Sequence, residues 1–504
     1  MKKLFSNAAA DFPAAIVVFL VALPLCLGVA LGSNAPLFSG IIAGIVGGMI
    51  IGSLSGSSLS VSGPAAGLTA IVAVAIGKMP AYEAFLLSVV IAGIFQIVFG
   101  FIRAGIIGDY IPNSVIRGML AAIGIILILK QIPHIVGYDV HFDGEEGFIG
   151  VLLIGAVSVA ILLLWDRPFF KSKKLFKYIP GPLVVVAGGI LISAGLQGSG
   201  SRFALAPNHL VSLPVASDLQ SFAGFFRFPD WHYLGNYHVW VNAITIALVA
   251  SLETLLSIEA IDKLDPYNRS TPTDRELKAQ GIGNLVSGML GGLPVTSVIV
   301  RSSANLNAGA KSRLATILHG SLLLLSVLLI PGLLNTIPLS ALAAILIMTG
   351  YKLAKPTLFK EFHSRGWDQF VPFVVTIIAI LLTDLLIGIL IGMGVALFFL
   401  MRSNFRSAVM IVHDENKYLL RFRKDVSFLN KPIVKEKLEA VPANSYVLID
   451  LTRADFIDKD VIDVINEFMH HAHLKNIRVE IRKSPFKTAH RSVGLQEDPK
   501  IAAA

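Results

Sequence analysis

A polytopic α-helical membrane protein ending in a small soluble α/β module is the fold class this sequence predicts, and three observations predict it. The first is composition. Of 504 residues 54% are hydrophobic and only 15% charged, with a mean hydropathy of +0.72, so charges are too few to solvate a globule of this size and apolar runs are long enough to cross a bilayer. The second is a pair of apolar segments interrupted by Gly and Pro, Ser60 to Ile76 and Gly291 to Ala310, each resembling half a membrane helix. The third is the change after Arg402, where strand-like and helix-like runs begin to alternate.

Taken in order, the N-terminus has a basic start and an apolar stretch, but no small-residue cleavage site follows and Pro24 sits mid-span, so it reads as a retained first helix rather than a signal peptide. The single Cys26 lies within it, which excludes an intramolecular disulfide and a cysteine-rich metal site. Apolar spans then start near Pro13, Ser39, Ser62, Glu83, Pro112, Gly147, Tyr178, Trp240, Glu276, Pro294, Leu314, Leu339, Trp367 and Asp384, roughly fourteen crossings if each broken segment counts once. A net charge of +9 does not point to nucleic acid, because Lys and Arg collect in short connections: Arg167 to Lys177, Lys263 to Lys278, Lys311 to Arg313 and Lys352 to Arg365. The stretch Lys130 to Gly147 is acidic instead, with Asp139, Asp143, Glu145 and Glu146. The basic loops follow spans six, eight, ten and twelve, on the side of the N-terminus. By the positive-inside rule both termini are expected in the cytoplasm of a multi-pass protein of the inner (plasma) membrane.

The broken segments are the third and tenth spans, hence third in each half of a chain divided seven plus seven. An odd number of crossings per half inverts one half relative to the other, so the spacing predicts an inverted repeat. The transmembrane domain is expected over 1–405, with halves 1–196 and 240–405. The charge-poor connection Gln197 to Val239 between them is expected outside the cell, with short amphipathic turns. The soluble module is placed at 406–496, with strands at Tyr418 to Arg423, Ser445 to Leu451 and Ile477 to Arg482 and helices at Lys431 to Val441 and Asp458 to Asn476. From Ser484 turn formers dominate, and 497–504 is expected to be a disordered tail.

Two broken helices suggest an anion site. Ser62, Gly63 and Pro64 precede a helix expected from Ala65 to Ile76, with Pro suited to its first turn, leaving the N–H groups of Ala65, Ala66 and Gly67 free. Thr296 and Ser297 read as a capping pair for a helix running through Asn305. Each N-terminus acts as about half a positive charge and binds anions through oriented N–H groups, without metal or cofactor. The plainer reading is that Gly and Pro only allow close helix packing. Arg301, one turn beyond Ser297, is costly inside a bilayer unless it faces a cavity or partner, and its planar fork suits an oxyanion. It is also placed to pair with Glu253 and hold two spans together. Glu253 lies in the apolar eighth span with Thr254 beside it and Ser257 on the same face. Burial favours the neutral acid and a neighbouring Arg the carboxylate, so Glu253 is the candidate coupling residue. Glu259 and Asp262 are expected at the solvated end of that helix, and Asp109 and Asp384 at helix ends as caps. His470, His471 and His473 lack accompanying ligands at metal spacing and read as a solvated face. No nucleophile or metal cluster supports an enzyme.

GGLPVTSVIVRSSANLNAGAKSRLA preceded by ELKAQGIGNLVSGMLGG, SGPAAGLTAIV in the third span, and VLIDLTRADFIDKDVIDVI near the C-terminus together resemble the SulP family of inorganic anion transporters, called SLC26 in animals. The resemblance covers nearly the whole chain. It implies a UraA-like fold of seven plus seven inverted spans, with a core and a gate that move relative to each other, followed by a cytoplasmic STAS domain. It further implies transport of sulfate, bicarbonate, chloride or dicarboxylates, frequent homodimers, an Arg at position 301, and an acidic residue at 253 acting in proton or sodium coupling. Sodium-dependent bicarbonate relatives tend to carry Asp and a hydroxyl residue where this chain has Glu253 and Ala65, which argues against sodium. The serine phosphorylated in related anti-sigma antagonists aligns with Asp460, so that switch is absent here.

Charge arithmetic selects among substrates. Two helix ends at about half a charge each, plus Arg301, less an ionised Glu253, leave about one positive charge; protonating Glu253 leaves about two. The expected function is therefore proton-coupled sulfate symport by a secondary transporter. Bicarbonate or dicarboxylate transport, or an anion channel, are the alternatives.

Overall fold

The computed structural model describes residues 7–106, 111–136, 148–167, 180–199, 203–215, 222–383, 385–484 and 493. Asp109, Asp384, the acidic run Asp139 to Glu146, nearly all of the basic connection Arg167 to Lys177 and the expected tail 497–504 fall outside them. The chain divides into two compact units, Met1–Met393 and Gly394–Ala504.

Among the described residues fourteen segments stand where the spans are expected, seven of their helices long and apolar enough to cross a membrane. Spans 1 to 7 are Ala8–Gly32, Leu37–Leu54, the broken span 3 with its helix Ala66–Lys78, Tyr82–Phe101, Asn113–Val136, Phe148–Trp165 and Gly181–Gly198. Spans 8 to 14 are Tyr237–Asp262, Thr273–Leu290, the broken span 10 with its helix Ile299–Asn307, Leu314–Leu329, Leu339–Leu353, Trp367–Leu382 and Leu385–Ala408. The starts agree closely with those read from hydropathy. Span 1 begins earlier, at Ala8, and holds both Pro13 and Pro24 inside it.

Small residues let the helix backbones touch. A Cβ on Gly93 of span 4 would lie 2.6 Å from Gly281 O of span 9, and one on Gly281 would lie 2.6 Å from Gly93 O. Spans 5 and 12 meet in the same way, through Gly124 and Gly350 at 2.5 and 2.6 Å. Such approaches replace the hydrophobic driving force, which is absent between helices in lipid, with close van der Waals packing. Polar anchors complete the packing. Buried Asp11 of span 1 accepts the backbone N–H groups of Lys311 and Ser312 ahead of span 11 at 2.7 and 3.1 Å. Asp262 accepts from Thr271 N and Oγ1, and Glu259 pairs with Lys263 on the exposed side, as expected of the end of span 8.

The connection between the halves carries short 3₁₀ turns at Pro207–His209 and Trp231–Gly235. It is anchored to the membrane unit: Leu213 and Asn335 exchange hydrogen bonds at 2.7 and 3.0 Å, and Phe222, Phe225 and Phe226 stand edge-on around Phe38 of span 2.

The second unit holds a four-stranded sheet in the order β3-β4-β5-β6, with β3 (Val409–Asp414), β4 (Lys417–Phe422), β5 (Tyr446–Asp450) and β6 (Arg478–Arg482). The β3/β4 pair is antiparallel and the other two are parallel. Helices Lys431–Glu439 and Lys459–Ala472 bury Val434, Leu438, Val461 and Ile465 in its core. Strand β3 follows the last helix without a turn residue between them. Burial pushes the Asp450 carboxyl up, but hydrogen bonds from Thr452 and Arg421 outweigh it and hold it below the usual carboxylate range. Asp460 stands in the first turn of its helix, capped by Asp458, with Lys431 Nζ 3.3 Å away. An acidic residue suits that helix end.

Candidate functional site

The two broken segments meet as a short antiparallel pair, β1 (Ser62–Pro64) with β2 (Val295–Ser297), in the register Ser62↔Ser297, Gly63↔Thr296 and Pro64↔Val295. Val298 N donates to Val61 O at 3.0 Å, so by the alternation of antiparallel ladders Gly63 and Thr296 face each other as a bonded pair, while Ser62, Pro64, Val295 and Ser297 turn their backbone groups outward. This corrects two sequence expectations. Pro64 sits on a strand edge rather than in a helical first turn; its missing N–H would have pointed outward unpaired, so proline costs nothing there. Thr296 and Ser297 do not cap a helix: the N-cap is Val298, and the helix starts at Ile299. Ser297 and Arg301 therefore do not share a helical face, although Arg301 and Asn305 do. Pairing with β1 satisfies the chain before it coils.

The helices leave opposite ends of the pair, from Ala65 and from Val298, and neither N-cap side chain bonds to its helix. The first-turn N–H groups are thus left for other partners, each end contributing about half a positive charge. The hydroxyls predicted to bind turn elsewhere. Ser62 Oγ accepts from Gln280 Nε2 at 2.7 Å, Ser297 Oγ bonds to Ser60 Oγ, and Thr296 Oγ1 donates to Ser297 O at 3.2 Å.

Arg301 is wholly buried. Its Nη2 donates to Pro64 O at 3.2 Å, while Nε and Nη1 are buried without a hydrogen-bond partner. The Cys26 thiol of span 1 is its polarizable neighbour. A Cβ on Gly63 would fall 1.9 Å from Arg301 Nη1, so the glycine leaves the space that the guanidinium fills. Four residues on, in the first turn of the helix, Gly67 does the same for the other group: a Cβ there would lie 2.5 and 2.7 Å from the two carboxyl oxygens of Glu253. No ion pair joins Glu253 to Arg301 among the described residues, so the two are not a staple, and Glu253 Oε2 is buried with no hydrogen-bond partner. Thr254 beside it accepts the outward N–H of Ser297 at 3.2 Å.

Both charges line one cavity of about 90 Å³, shared with Pro64, Ala66, Gly67, Ser257 and Val298 to Val300. Leu120 of span 5 and Thr349 and Leu353 of span 12 also line it. The cavity thus brings together Ala66, Arg301, Glu253 and Ser257 of the expected set; Ser62, Ala65, Thr296 and Ser297 do not line it. Thr349 was missed from sequence, and Gly67 was expected only for its free N–H, not as the neighbour of Glu253. The recurrence of glycine at positions 63 and 67, four residues apart across the start of an apolar helix, was the available signal.

Comparison with known proteins follows this geometry. The family model for the sulfate permease family matches residues 9–378, and that for the STAS domain matches 408–502. The chain belongs to the sulfate permease family. Members are membrane transporters, and this one is a multi-pass transporter of small anions with a STAS domain, not an enzyme. YvdB of Bacillus subtilis (strain 168), named for sulfate transport, is 24% identical over 97% of this chain and 92% of its own length. The bicarbonate transporter BicA of Picosynechococcus is also 24% identical, over 78% of this chain and 70% of its own. In structure, the transmembrane domain of a cyanobacterial BicA aligns with a TM-score of 0.61 at 22% identity, covering 78% of this chain and 98% of that one. The murine Slc26a9 anion transporter aligns with 0.73 at 15%, covering 94% and 85%. The fold is UraA-like.

Because Gly63 and Arg301 occupy one space, Gly63→Ala is expected to displace the guanidinium and weaken anion binding by about tenfold or more. Gly77→Ala, with nothing within 4 Å of the added carbon, is the neutral control. Calorimetric titration of the purified variants checks both.

Proposed function

We propose that this family member takes up sulfate by symport with protons, binding the anion at the strand pair between the two helix ends and Arg301, with Glu253 as the proton carrier. One observation carries the reading: a wholly buried arginine with two nitrogens unpartnered shares a cavity with a carboxylate that it does not pair with. A buried guanidinium left unpaired is expensive, and an oxyanion supplies the missing acceptors in the planar geometry that arginine favours. With Glu253 ionised the cavity carries about one positive charge; with it protonated, about two, which matches a divalent anion and ties sulfate entry to proton entry.

Bicarbonate is the second reading, favoured by the one-charge state of the site and by the likeness to BicA. Transport is assigned to residues 1–405, in halves 1–196 and 240–405, and residues 406–496 to the STAS domain on the cytoplasmic side. Both termini are taken as cytoplasmic, the membrane as the inner (plasma) membrane, and the working form as a homodimer.

The test is uptake into proteoliposomes of labelled sulfate, bicarbonate, chloride and a C4 dicarboxylate under an inward proton or sodium gradient. Sulfate accumulation driven by protons supports the reading. Sodium-driven bicarbonate accumulation replaces it with the second, and large uncoupled anion currents replace both with a channel.

A further inference from the structure

A break in a membrane span leaves backbone groups that the helix would have satisfied, and a strand pair three residues long satisfies only those facing inward. The outward edge of β2 therefore needs partners, and in lipid an unpaired backbone group costs several kcal/mol. Span 9 provides them along one face. Glu276, Gln280, Asn284 and Ser287 recur at helical spacing and are all wholly buried. Glu276 accepts Ser55 Oγ and Gly56 N, Gln280 donates to Ser62 Oγ, and Ser287 Oγ donates to Leu293 O at 2.6 Å.

Asn284 is distinct from the rest. Its Oδ1 accepts Val295 N at 2.6 Å and its Nδ2 donates to Val295 O at 2.9 Å, so one amide side chain pairs with both backbone groups of a strand residue, as a neighbouring strand would. The same Nδ2 donates to Gln96 Oε1 of span 4 at 2.6 Å, and Gln96 Nε2 donates to Ser251 Oγ at 3.3 Å, two residues from Glu253 on span 8. Val295 is in register with Pro64, whose carbonyl receives Arg301. A single buried chain of hydrogen bonds thus runs from the helix that carries Glu253, through Gln96 and Asn284, to the strand pair on which the guanidinium is seated.

We propose that Asn284, oriented by Gln96, is a positioning residue of the anion site: it acts as a third strand for β2 and sets where Arg301 and the helix ends stand, so that it governs anion affinity rather than the rate of the transport cycle. This rests on the reading that the anion binds at the strand pair. Truncation leaves both groups of Val295 unpaired, and the strand shifts to find partners.

The test compares wild type with Asn284→Ala, Asn284→Asp, Gln96→Leu, Ser287→Ala and Arg301→Ala, each as monodisperse protein, by initial rates of labelled sulfate uptake in proteoliposomes. Asn284→Ala is expected to raise KM by about tenfold with the maximal rate within about twofold. Asn284→Asp, which keeps the acceptor for Val295 N–H, is expected to fall between Ala and wild type, and Ser287→Ala to leave KM unchanged. Should Asn284→Ala not fold, Gln96→Leu carries the same expectation with a smaller shift. A fall in maximal rate at constant KM overturns the proposal, as do equal KM shifts from Ser287→Ala and Asn284→Ala. If Arg301→Ala shifts KM and the Asn284 variants do not, this inference alone fails. If Arg301→Ala leaves KM unchanged, the site reading fails and takes this inference with it.

Discussion

Arg301→Ala is expected to weaken sulfate binding by about a hundredfold to ten-thousandfold, with the protein still folded. The magnitude follows from what the side chain has to give. Two of its nitrogens, Nε and Nη1, lack hydrogen-bond partners among the described residues, and charge-assisted hydrogen bonds to an anion contribute about 1.5–3 kcal/mol each, so losing two costs about 3–6 kcal/mol. Each 1.4 kcal/mol is a factor of about ten in the dissociation constant. Folding tolerates the change because, among the described residues, Arg301 donates to one backbone acceptor of the scaffold, Pro64 O, and removing a buried charge relieves a desolvation cost. Arg301→Lys separates charge from geometry. A lysine ammonium keeps the positive charge but not the planar fork, so a loss nearly as large as that of Arg301→Ala assigns the effect to the fork. Isothermal titration with sulfate reads all three proteins; unchanged affinity in Arg301→Ala removes the residue from the site.

Much of this architecture could be read from the residues because lipid enforces strong rules. Runs near twenty apolar residues mark spans, basic loops mark one side, and the interruptions at Gly63–Pro64 and Gly291–Pro294 mark the breaks. Which charged residues face the cavity was legible for the same reason, since Arg301 and Glu253 have no business in an apolar span otherwise. Local detail at the breaks was not. Thr296 and Ser297 have the composition of an N-cap, and only the partner strand far earlier in the chain, with Ser62 opposite Ser297, turns that segment into β structure. Tertiary pairing overrode local preference there. Asn284 and Gln96 escaped notice because a lone amide in a membrane helix reads as ordinary interhelical glue; its two-handed grip on Val295 depends on where the chain returns. Gly67 was read only for its free N–H, because a glycine's purpose lies in the side chain that occupies its missing Cβ, here Glu253.

The second large effect concerns coupling. Glu253→Gln is expected to abolish accumulation of sulfate against its gradient when protons are the only driving force, while leaving exchange of labelled for unlabelled sulfate measurable. Glutamine keeps the shape beside Gly67 and the neutral charge of the protonated acid, so it fixes the site in the state carrying about two positive charges, which still binds a divalent anion. What it cannot do is take or release a proton. For symport of one proton, each unit of pH difference supports about a tenfold accumulation, since one pH unit is 1.36 kcal/mol. Wild-type proteoliposomes with acid outside are therefore expected to show that rise and the Glu253→Gln protein to show less than about a twofold one. The variant is also expected to lose the pH dependence of sulfate affinity, because the charge that opposes the anion is gone at every pH. Gly67→Ala gives an independent check, since an added methyl 2.5 Å from Oε1 forces the carboxylate away from the helix end without changing its chemistry. If proton-driven accumulation persists in Glu253→Gln at wild-type strength, the proton travels by another group and Glu253 is left as a spectator of the anion's path.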